Sequence, residues 1–167
     1  MGDSAGANLA IVVAVALRDD PAAAPVAAQC LIYPVTDAVS DEGNGRDFSE
    51  GFFLTRAGMD WFDSHYLPSG TDWRRNPSVR GLAGLPPAVI MTASLDPLRD
   101  QGRALAGDLA KAGGEVVYLE ARGTIHGFWS MRQLLPSSAE DVARCLAHLK
   151  LLAAPSASQK RINVVRT

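Results

Sequence analysis

The stretch Gly2-Asp3-Ser4-Ala5-Gly6-Ala7-Asn8-Leu9 sets a serine between two glycines and runs straight into an apolar segment that continues to Leu17. Glycines at that spacing suit a sharp, strained turn from a strand into a helix, in which larger flanking side chains find no room. The alanine, leucine, isoleucine and valine residues that follow, almost without polar interruption over residues 5–18, read as a helix buried on most of its surface. At nine residues the longest apolar run is far short of the roughly twenty that a membrane span needs.

Working outward, residues 21–25 form a turn, and 26–33 form a short apolar run closed by Pro34, as expected of a strand buried on both faces. Residues 36–80 differ in character. They are polar and glycine-bearing at first, helix-like over 55–66 and turn-rich over 68–77, an insertion of the kind that walls a pocket. A second strand is predicted over 88–93, a helix over 99–112 stopped by Gly113-Gly114, and a third strand over 115–119. Residues 122–127 read as a loop, and 137–152 as a last amphipathic helix with Ser138 as its cap and Glu140-Asp141 in its first turn. Strand and helix alternate throughout, which predicts an α/β domain with a parallel sheet flanked by helices. Residues 1–152 make one domain and 153–167 a solvated tail, in keeping with a chain of 167 residues, 47% of them hydrophobic.

The balance of 16 basic and 18 acidic residues, without a long run of either sign, offers no field for nucleic acid or anionic lipid. No signal peptide is visible at the amino terminus, so a cytoplasmic location is expected. Cys30 and Cys145 lack the spacing of a metal site and read as buried thiols of a reducing compartment. No metal or organic cofactor is expected.

A serine at such an elbow acts as a nucleophile only beside a base, and the chain holds three histidines. His126 follows a predicted strand, at the sheet end where active-site loops of open α/β folds gather, whereas His65 and His148 fall inside helices. The carboxylate that would orient the imidazole is read as Asp96, a few residues past the second strand; Asp100, one turn into the next helix, is the weaker candidate. The Ala5 N–H, at the start of the first helix, is the candidate oxyanion donor. On local sequence alone Ser4 also fits a plain helix cap.

Taken together, Gly2-Asp3-Ser4-Ala5-Gly6-Ala7-Asn8-Leu9, Leu31-Ile32-Tyr33-Pro34-Val35-Thr36-Asp37, Leu85-Pro86-Pro87-Ala88, Asp96-Pro97-Leu98-Arg99-Asp100 and Ile125-His126-Gly127-Phe128 resemble the hormone-sensitive-lipase-like esterases, the bacterial family IV group of α/β-hydrolases. Gly51-Phe52-Phe53-Leu54-Thr55 is similar to that family's region between its sixth and seventh strands. The serine, aspartate, histidine order along the chain is that of the α/β-hydrolases. The resemblance implies a serine carboxylic-ester hydrolase for short- to medium-chain acyl esters, with Ser4, Asp96 and His126 as its triad. Ala7 stands where the family has a glycine, and the His-Gly-Gly-Gly segment that supplies most of the family's oxyanion hole is not among the 167 residues. The chain is therefore expected to be the carboxyl-terminal part of an α/β-hydrolase fold, with upstream strands and cap missing. The alternatives are a fragment without activity or an interaction module, and residues 26–33 are expected to form an exposed sheet edge open to self-association.

Overall fold

The computed structural model describes residues 1–66 and 72–154. The tail expected over 153–167 lies almost wholly outside these residues, as does part of the turn-rich stretch after residue 67. Among the described residues four strands form one parallel sheet in sequence order: β1 (Gly2–Asp3), β2 (Gln29–Ile32), β3 (Ala88–Leu95) and β4 (Val116–Ile125). Three helices cover it: α1 (Ala5–Asp19), α4 (Arg99–Lys111) and α5 (Pro136–Leu152). Two others lie in the insertion, the single-turn α2 (Asn44–Asp47) and α3 (Arg56–His65), and a 3-10 turn spans Pro77–Arg80.

Alternation along the strands sorts the core into two layers. Leu31, Ala88 and Ile90 meet Ile11 and Val15 of α1 and Leu105 and Leu109 of α4 on one face. Cys30, Ile32, Val89 and Met91 meet Val142 and Cys145 of α5 on the other. This arrangement, with both faces of a parallel sheet covered, is why 26–33 and 88–93 carry apolar runs rather than alternating patterns.

Several expectations need correction. The strand over 26–33 shrinks to Gln29–Ile32, and it is not the outermost strand: β1 pairs with it in the register Gly2↔Leu31 and Asp3↔Ile32, and all four of its residues are buried. Two residues suffice for β1 because the Ser4 amide extends the pairing by donating to the Ile32 carbonyl at 2.9 Å. Helix α1 is not buried on most of its surface, since Leu9 and Val13 are each about half exposed on one stripe. The third strand does not stop at Leu119, and 122–125 is not loop. A register slip carries pairing from Ala93↔Ala121 to Leu95↔Ile125, and the Gly123 amide in the bulge donates to the Ser94 hydroxyl at 2.8 Å. Gly123, with φ 69, supplies the left-handed residue that such a bulge uses, so its signal of irregularity belongs inside the strand. Finally, Leu135, not Ser138, caps α5; Pro136 takes the first turn, and Ser138 is buried within it with its hydroxyl unpaired among the described residues.

Cys30 and Cys145, 115 residues apart in sequence, meet across the β2–α5 contact as free buried thiols with sulfurs 3.7 Å apart. Among the described residues no helix is long and apolar enough to cross a membrane, and no group of three or more His, Cys, Asp and Glu side chains is placed to hold a metal ion.

Candidate active site

The carboxyl ends of β1, β3 and β4 deliver Ser4, Asp96 and His126 to one side of the sheet. Ser4 lies between β1 and α1 at φ 53, a left-handed conformation unfavourable for a residue with a Cβ. The turn needs the close approach that Gly2 permits: a Cβ on that residue would sit 2.1 Å from the Gly6 carbonyl oxygen and 2.8 Å from the Ala7 nitrogen. At Gly6 the steric argument fails, because a Cβ there meets nothing nearer than an Asp3 carboxylate oxygen at 4.0 Å. The two glycines therefore differ in kind. Gly2→Ala is expected to lower unfolding free energy by about 3 kcal/mol or more, through backbone overpacking. Gly6→Ala, inside the first turn of a helix, is expected to be neutral or to stabilise by about 0.5–1 kcal/mol. Urea titration of the two variants checks both, and equal destabilisation would contradict the difference.

Ser4 is not a cap. Its side chain bonds to no helix amide, and the Ala7 and Asn8 amides close instead on its backbone carbonyl at 3.0 and 3.2 Å. The hydroxyl oxygen lies 2.9 Å from His126 Nε2. His126 Nδ1 lies 2.8 Å from Asp96 Oδ2, and the other carboxylate oxygen accepts the Leu98 amide at 2.8 Å. Asp96 is fully buried and His126 only 5% exposed. An ionised carboxylate only accepts, so Nδ1 carries the proton facing it and Nε2 is left as the acceptor of the Ser4 hydroxyl. The arrangement is able to take the proton of Ser4 while a buried negative charge steadies the imidazolium that results.

Asp100 has no part in this cluster. It is exposed in the first turn of α4 and pairs with Arg99 and Arg103. His65 is exposed at the end of α3, its Nδ1 beside the Trp61 carbonyl, and His148 is half-buried on α5. Ala5 is exposed at the mouth of the site, and the first amides of a helix have no intrahelical acceptor.

Two supporting residues escaped the sequence reading. Asn44, buried on α2, donates to the carbonyls of Asp96 and Pro97 at 2.9 and 2.5 Å and so fixes the turn that presents the carboxylate. Asn8, one helical turn past Ser4, donates to the Val35 and Arg74 carbonyls and accepts from the Tyr66 hydroxyl at 3.1 Å, tying α1 to the insertion. A lone asparagine in a polar stretch carries no pattern, so Asn44 had no signal; Asn8 had one, as a polar residue within an otherwise apolar helix.

A cleft of about 610 Å³ opens over Ser4 and His126. Leu9 of α1 and Val39, Phe53, Leu54 and Met59 of the insertion give it apolar walls, while Asp37, Arg56 and Asp60 lie among its polar lining. The insertion thus walls the pocket, as its composition predicts.

Comparison with known proteins places the fold. The family described as alpha/beta hydrolase fold matches residues 1–130. The carboxylic ester hydrolase LipN of Mycobacterium tuberculosis is 38% identical over 159 residues, covering 89% of this chain and 42% of that protein. Among solved structures, the ester-hydrolase EH1AB1 from the metagenome of Lake Arreo superposes with a TM-score of 0.80 at 42% identity, over 91% of this chain and 48% of that one. EstE1, a thermophilic and thermostable carboxylesterase cloned from a metagenomic library, gives a TM-score of 0.85 at 33% identity, over 92% of this chain and 54% of that one. The chain spans about half the length of these relatives.

Proposed function

The chain belongs to the alpha/beta hydrolase fold family, and from that membership we propose that it carries the acyl-transfer residues of a serine carboxylic-ester hydrolase. The observation that supports this reading most is the unbroken line from Ser4 Oγ to His126 Nε2 and from Nδ1 to Asp96, at 2.9 and 2.8 Å, beneath an apolar cleft.

In this reaction Ser4 Oγ attacks the ester carbonyl carbon while His126 Nε2 takes the hydroxyl proton. The tetrahedral oxyanion faces the amino terminus of α1, where the Ala5 N–H donates to it; one such donor is worth about 10²–10³ in rate. His126 returns the proton to the leaving alcohol, and the acyl group stays on Ser4. A water then repeats the sequence, giving its proton to Nε2 and releasing the carboxylic acid. No metal or organic cofactor enters any step. The apolar walls, Leu9, Phe53 and Leu54 among them, take the acyl chain, and a cleft of about 610 Å³ suits short to medium chains.

Chromogenic esters of increasing acyl length test the proposal. The expected result is turnover above the buffer rate, with kcat/KM higher for butanoyl or hexanoyl than for hexadecanoyl esters. Rates equal to buffer for every ester would leave the cluster a structural hydrogen-bond network.

A further inference from the structure

Tyr33 occupies a conformation that its sequence context opposes. It precedes Pro34, which biases the residue before it toward extended backbone, yet its φ is 35, and its side chain is 1% exposed. Among the described residues Ser4 is also a non-glycine residue at positive φ, and both meet His126: Ser4 through its hydroxyl, Tyr33 through its ring. Strain held at two points around one side chain points to a positional requirement there.

The contacts of Tyr33 show what is positioned. Its ring centroid lies 4.4 Å from that of His126, tilted by 52°, and Phe128 stands edge-on to it at 5.4 Å. Its hydroxyl donates to Asp3 Oδ2 at 3.0 Å, one residue before the serine, while its ring packs on His126 and Phe128 of the histidine segment. Burial, and then the Asp3 charge, hold the phenol far above its ordinary range, so it remains a donor at any working pH. The Tyr33 amide in turn donates to the Met91 carbonyl of β3 at 2.6 Å, anchoring the residue to the sheet.

We infer that Tyr33 and Asp3 form a brace that locks the elbow to the histidine segment and holds the His126 imidazole in the plane from which it reaches Ser4 and Asp96 together. Tyr33 is thus a positioning residue, and its effect falls on the chemical step rather than on binding, because it lies behind the imidazole and does not line the cleft. The inference rests on the acyl-transfer reading for its rate effects but not for its geometry.

The test uses the full chain with Tyr33→Phe, which keeps the ring, Asp3→Ala, and the double variant. Each single change is expected to lower kcat about tenfold with KM within about twofold, the size of one hydrogen bond to a charged group. The double variant is expected to fall no further than either single one, since both remove the same bond. In parallel, proton NMR of the His126 Nδ1–H is expected to give one sharp downfield resonance in the parent chain and a broadened or shifted one in Tyr33→Phe. Losses that multiply, a loss carried in KM, or an unchanged resonance in Tyr33→Phe would each overturn the brace. The resonance does not depend on turnover, so a parent chain inactive toward every ester would sink the acyl-transfer reading while the NMR still decides the brace.

Discussion

Ser4→Ala is expected to bring ester hydrolysis down by about 10⁴–10⁶ in kcat, to within reach of the buffer rate. The size follows from the chemistry, because without the oxygen there is no acyl-enzyme, and His126 has no proton to move. The fold is expected to survive. Ser4 already holds its Cβ at φ 53, so alanine adds no backbone strain beyond what serine bears, and the hydroxyl caps no amide of α1. The lost hydrogen bond to His126 costs about 1 kcal/mol at most in stability. Matched thermal unfolding of the two proteins separates a catalytic loss from a folding defect.

Asp96→Asn is expected to cost about 10⁴ in kcat with little change in KM. The reason lies in the second carboxylate oxygen. Asp96 Oδ1 accepts the Leu98 amide at 2.8 Å, so an asparagine must place its carbonyl oxygen there and turn its NH2 toward His126 Nδ1. A donor facing Nδ1 forces the proton onto Nε2, the tautomer that is unable to accept from Ser4. Asn44, holding the Asp96 and Pro97 carbonyls, keeps that turn from rearranging to escape the conflict. A loss below about tenfold would mean that the asparagine amide has flipped and that Leu98 has given up its bond. The variant is expected to unfold cooperatively, since the substitution preserves shape in a fully buried position.

How much of this was legible in the sequence depends on the kind of interaction. The α/β class was legible in the alternation of 5–18, 26–33, 88–93 and 99–112, because a covered parallel sheet forces continuous apolar runs. Asp96 and His126 were legible as candidates because each follows a predicted strand and adjoins a proline or glycine that breaks regular structure, Ser4 because it sits between Gly2 and Gly6 at the start of an apolar helix, and the resemblance to family IV esterases rests on those same segments. Features decided by pairing across long separations were not legible. Nothing in residues 2–3 marks them as a strand until Leu31 and Ile32 lie alongside. The bulge at Gly123 looks in sequence like the end of β4, since a glycine signals irregularity without saying whether pairing resumes. Asn44 reaches Asp96 across 52 residues, and Tyr33 reads as one more apolar residue of a buried strand until its hydroxyl is seen on Asp3. The exposed stripe of α1 escaped for the opposite reason, as an all-apolar helix has no polar face to indicate which side meets the sheet.

The central chemical event is transfer of the acyl group to Ser4. Mixing the chain with a chromogenic acetate ester, quenching in acid within the first turnover and mapping the peptides by mass spectrometry measures this directly. The expected result is one acetyl group on the peptide bearing Ser4, formed with a stoichiometric burst of chromophore and lost again as the ester is exhausted. No acetylated peptide during turnover, or an adduct that also forms in Ser4→Ala, would contradict it.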